Sequence, residues 1–65
     1  MKRVEASAIC DGFAISPDGD HLFMFIRPLG FWRECDVINS MTMWSIICKD
    51  RLVHRGIFTI KVEDE

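Results

Sequence analysis

The chain has no closely spaced pair of metal ligands. Cys10, Cys35, Cys48, His21 and His54 are scattered singly. Structural zinc sites draw two ligands from one tight turn, as in C-x-x-C or H-x-x-x-H. Their absence here argues against a metal centre. Asp18, Gly19 and Asp20 resemble the start of a calcium loop, but the later ligands and the closing glutamate are missing. Four glycines lie apart, and none opens a helix after a strand, so no phosphate loop is present. Ser7, Ser16, Ser40 and Ser45 lack the setting of a nucleophile elbow. The thiols lie among apolar residues, where thiols are inert; only Cys48, followed by Lys49 and Arg51, has positive charge beside it. Glu34 and Asp36 form a carboxylate pair that reads as solvated surface. We therefore expect a protein that is not an enzyme, with no cofactor and no metal.

An excess of one charge is also lacking. Ten acids against eight bases give a net charge of −2, which marks neither a polybasic nucleic-acid binder nor an acidic tail protein. The block Glu63-Asp64-Glu65 reads as a frayed, solubilising end. Three cysteines are an odd count, unlike a secreted disulfide scaffold; the expectation is reduced, buried thiols in a cytosol-like compartment. Glu5 and Ser7 interrupt any leader-like run after Met1. No apolar run approaches the ~20 residues of a membrane span. These absences predict a soluble, cytoplasmic protein of a producer or host cell, without a membrane partner.

What is present is a rich apolar supply, 49% of 65 residues, enough for a single small domain over 1–65. Turn signals recur along it. Asp11-Gly12 is a two-residue hairpin signal. Ser16-Pro17-Asp18-Gly19 is a β-turn in which proline presets φ and glycine takes the left-handed exit. Pro28-Leu29-Gly30, Asn39-Ser40 and Lys49-Asp50 follow. This rhythm, about ten residues, belongs to small all-β domains.

The intervening segments agree. Residues 3–10 alternate, with Val4, Ala6, Ala8 and Cys10 on one face. Residues 21–27 are apolar on both faces, with Leu22, Met24 and Ile26 against Phe23 and Phe25, as in a central or barrel strand. In 57–62, Phe58, Ile60 and Val62 point inward, and Gly56 signals a bulge. Residues 41–48 carry no charge and no proline, and are expected to form an inner strand, since such a run left exposed invites aggregation. Residues 31–38 fit a helix or a strand equally. The predicted fold is all-β or β-rich, a small antiparallel meander or barrel of five to six short strands. The alternative is α+β, with one short helix near residues 31–40.

Gly12-Phe13-Ala14-Ile15-Ser16-Pro17-Asp18-Gly19, followed by Leu22-Phe23-Met24-Phe25, resembles the two aromatic strands of cold-shock domains. The resemblance covers about fourteen residues and implies a five-stranded OB-type barrel that stacks single-stranded bases on aromatics. Asp11 stands where that family has lysine, and Phe25 where it has histidine. Such a binder would use Arg27, Arg33, Arg51, Arg55 and the phenylalanines. Phe13, Phe23 and Phe25 are expected instead in the core.

Surface recognition remains. Phe31, Trp32, Arg33 and Glu34 follow a turn and join large aromatics to both charges; Trp and Arg are frequent interface residues. Trp32 serves either as such a contact or as a lid on the barrel end. Asp18, Asp20, Glu34 and Asp36 are candidates for one negative patch, suited to a basic partner. The expected function is a non-enzymatic protein-binding module. From size and type, its setting is a phage- or mobile-element-encoded inhibitor of anti-CRISPR or anti-defence kind, blocking a larger host protein such as a nucleic-acid-handling complex. The alternatives are an OB-like single-strand binder, with direct nucleic-acid binding ranked second, and a small structural or assembly subunit held through 41–48. The chain is read as a monomer or homodimer.

Overall fold

The computed structural model describes residues 1–64. Its elements are β1 (Lys2–Cys10), β2 (Phe13–Ile15), β3 (Leu22–Ile26), β4 (Phe31–Cys35), α1 (Ser40–Ile47) and β5 (His54–Val62). The strands close into one barrel in the order β1-β2-β3-β4-β5. Neighbours are antiparallel except at the closing seam, where β4 and β5 run parallel and meet at one register pair, Trp32 with Val62. An OB barrel is a Greek key; here each strand lies beside its neighbour in sequence. The cold-shock resemblance therefore carries strand number and size, and its topology is not found.

The turns form as their residues dictate. Asp11 and Gly12 both take positive φ, 45° and 83°, and join the paired residues Cys10 and Phe13 in a two-residue loop of the primed kind. Gly19, at φ 77°, donates its N–H to the Ser16 carbonyl at 3.0 Å. Along β5, Phe58 faces Ala6 and Arg55 faces Ala8. Gly56 and Ile57 together thus oppose Ser7, which is the bulge that Gly56 signals.

Residues 41–48 are not a strand. Asn39 caps a helix there, its side-chain oxygen accepting the Thr42 N–H at 3.0 Å. The Cys48 N–H closes the last turn on the Trp44 carbonyl at 3.0 Å. Ser40, Trp44 and Cys48 are buried, a stripe of four-residue spacing that only a helix presents on one face. Residues 31–35 in turn are strand β4, so the one helix follows residues 31–38 and does not occupy them.

Two apolar clusters hold the fold. Ala6, Ala14, Phe23, Ile60 and Val62 form one cluster, with Val4, Ile9, Trp32 and Phe58 packed against them. Ala8, Cys10, Ile15, Leu22, Trp44 and Cys48 form a second core beneath α1. The cross-strand pairs show why β2 and β3 are apolar on both faces. Ala14 and Phe23 are paired and go to the first cluster; the adjacent pair, Ile15 and Leu22, goes to the second. No helix is long and apolar enough to cross a membrane among the described residues.

Candidate functional site

The acids singled out from the sequence gather at one end of the barrel. Asp20, Glu34 and Asp36 line a single cleft with Cys35, Val37 and Ser40. Asp20 leads into β3, while Glu34 ends on β4 and Asp36 follows it, so the β3–β4 pairing brings them together. Asp18 stands in the adjoining turn, which is tightly tied. The Ser16 hydroxyl donates to Asp18 Oδ1, and the Asp20 N–H donates to the same oxygen at 2.9 Å. The Ser16 oxygen also accepts the His21 N–H at 3.0 Å. The Ser16 bond, then the Asp20 amide, holds the Asp18 carboxyl below its ordinary range. The first residue of α1 adds a brace, since the Ser40 hydroxyl donates to the Asp20 carbonyl at 3.0 Å.

His21, weighed in the sequence only as a metal ligand, lies beside this acidic group. Its Nδ1 lies 2.7 Å from Glu34 Oε2. The bond to Glu34 outweighs desolvation and raises the imidazole above its ordinary value, with Asp18 and Asp20 adding to the effect. The pattern that would have found it is strand register: Phe23 pairs with Glu34, so His21 and Glu34 share a face two residues apart.

The aromatic half of the predicted surface divides. Phe31 is 9% exposed and lies opposite Ile26, with little of its ring at the surface. Trp32 is half-buried against the barrel core, and its ring meets Phe25 at 5.3 Å and 60°. Phe25, expected inside, is 37% exposed. Phe25 shares its face of β3 with Phe23, and its cross-strand neighbour is the half-buried Trp32.

Arg33 is turned from the acidic cleft to the β4–β5 seam. Its Nε donates to Glu63 Oε2 at 2.6 Å, and that bond holds the Glu63 carboxyl below its ordinary range. Asp64 meets the amino group of Met1 at 3.0 Å. Glu63 and Asp64 are therefore tied down rather than frayed, and Glu65 lies outside the described residues. Lys2, Arg33, Glu34, Val62, Glu63 and Asp64 line a second cleft of about 470 Å³ along this seam.

Arg33 is engaged by Glu63, and Arg51 by Asp11 at 2.9 Å. Phe23 is buried and Phe13 packs against the helix-covered core. The thiols are free, with Cys10 and Cys48 buried and Cys35 half-buried. Desolvation, then a hydrogen bond with Cys10, pushes the Cys48 thiol up to about 12 against the pull of Arg51 and Arg55, which disfavours the thiolate. Among the described residues no three His, Cys, Asp or Glu side chains group as a metal site would need.

No family model, curated protein or solved structure matches the chain.

Proposed function

We propose that the protein is a non-enzymatic binding module that sets its acidic end against a basic surface of a larger protein. The observation carrying this reading is the convergence of Asp20, Glu34 and Asp36 on one cleft, beside an Asp18 fixed by the Ser16 hydroxyl. Carboxylates held by strand register and turn bonds cost little ordering on association, and a negative patch steers toward a positive one. His21 is paired with Glu34 within this group, and its protonation adjusts the local charge. A basic surface of this kind is common on nucleic-acid-handling proteins, and covering it would block their ligand. The proposed setting is a phage- or mobile-element-encoded inhibitor of a host system, of anti-CRISPR or anti-defence type.

The test uses tagged protein to capture a partner from bacterial lysate, followed by titration calorimetry with the purified partner at two salt concentrations. The expected result is a stoichiometric, salt-sensitive complex, lost in Asp20→Asn/Glu34→Gln/Asp36→Asn while the variant keeps its circular dichroism. Equal binding by the neutralised variant, or the absence of any stoichiometric protein partner, overturns the reading.

A further inference from the structure

β5 pairs with β1 from His54 to Val62, but on its other side the ladder with β4 consists of Val62 with Trp32. The Glu63 N–H then bonds the Trp32 carbonyl at 2.8 Å, and the seam ends there. From His54 to Ile60 this side of the strand has no β partner, and α1 packs on β2 and β3 rather than over it. His54, Arg55, Gly56 and Ile57 are all exposed. Ile57 is 83% exposed, a β-branched side chain on a strand with nothing against it. Because of the bulge it also lacks a residue of its own opposite it on β1. An exposed edge of this length is a template for another strand.

We propose that β5 is a self-association edge, pairing antiparallel with β5 of a second copy about a twofold axis at Ile57. This is independent of the acidic cleft, which lies at the β3–β4 side of the molecule.

The strand's own residues select this axis. With Ile57 opposite Ile57 of the second copy, Arg55 faces Thr59, His54 faces Ile60 and Lys61 faces Val53. No two cations meet, and the exposed isoleucines cover each other. Gly56 faces Phe58, whose ring packs against its own chain's core, so this pair sets no like charges opposite each other. Moving the axis to Phe58 sets Arg55 opposite Lys61, two like charges directly across a ladder, which is destabilising. Moving it to Thr59 recruits Glu63, whose N–H already belongs to Trp32. The symmetric contact uses the same patch on both copies and leaves no further edge on β5. It buries little area beyond the strands themselves, so the dimer is concentration-dependent.

Sedimentation velocity over a concentration series tests this. The expected result is a monomer–dimer shift in the wild-type chain. Ile57→Lys, which places two cations on the axis at an exposed position, abolishes it without changing circular dichroism. A wild-type chain that stays monomeric throughout, or an Ile57→Lys variant that dimerises equally, overturns the proposal. Register is read by crosslinking with oxidised glutathione. Ile57→Cys is expected to form an intermolecular disulfide with its copy, because paired β-carbons on an antiparallel ladder approach disulfide range. Thr59→Cys, which faces Arg55, is expected to crosslink far less. The reverse pattern overturns the axis.

Discussion

Met41 Cγ lies 2.8 Å from the point a β-carbon on Gly19 would occupy. The start of α1 is thus seated on the turn that carries Asp18. At φ 77°, Gly19 also holds a backbone conformation that costs other residues on the order of 1 kcal/mol. Gly12 has a similar φ of 83° and nothing within 4 Å of its added carbon. Gly19→Ala is therefore expected to destabilise more than Gly12→Ala in urea unfolding. In a Met41→Ala background the two costs converge. Equal costs in the wild-type chain would remove the helix–turn contact from the account.

Trp44 and Ile46 separate the helix from a strand over the same residues. On a strand they would share a face. On α1, Trp44 is buried and Ile46 is 64% exposed. Trp44→Ala is expected to cost about 3–5 kcal/mol, comparable with the roughly 3–5 kcal/mol that a core of this size supplies, and so to unfold the domain. Ile46→Ala is expected to stay within about 0.5 kcal/mol. Thermal melts followed by near-ultraviolet circular dichroism read both.

Asn39→Ala removes the acceptor for the Thr42 N–H. A lost cap costs about 0.5–2 kcal/mol, expected here as a lower urea midpoint with unchanged slope. Asn39→Asp keeps an acceptor and is expected to retain most of the stability.

His21 gives the domain a pH dependence with a definite sign. Its folded value is raised above the ordinary 6.5, first by the bond to Glu34. The protonated ring is thus bound more tightly in the folded state. The contribution is fully present below 6.5 and fades as pH rises through the higher folded value. The urea midpoint is expected to fall as pH rises from 6.5 through the higher folded value, and His21→Gln should flatten that change. A midpoint whose slope is the same in His21→Gln would assign it to another group.

Much of the barrel was legible because strands announce themselves by alternation. Val4, Ala6, Ala8 and Cys10 on β1, and Phe58, Ile60 and Val62 on β5, face inward as their spacing requires. Asp11-Gly12 and Ser16 to Gly19 name their own turns through positive φ and side-chain bonds. The run 41–48 was not legible as a helix, since its apolar residues fit both periods in so short a span. The cap was the missed signal. Asn39 resembles a turn residue until Ser40, Trp44 and Cys48 are aligned behind it as one stripe. The acidic cleft was foreseeable in membership, but His21 was not, because its role depends on β3–β4 register. Phe25 was misplaced for a related reason: it shares a face with the buried Phe23, and alternation alone does not distinguish the two.

Closure by β1 and β5 has a kinetic consequence. Lys2 faces Val62, so the longest ladder of the sheet joins nearly the full span of the described chain. The hairpins among β1 to β4 are local and form early, yet the first strand keeps one side open until the last is available. Forming that pairing requires closing the largest loop in the molecule before any of its contacts reward it. Folding should then be limited by the search of β5 for β1, and the interval before it succeeds is when the apolar face of β1 is most vulnerable to a wrong partner.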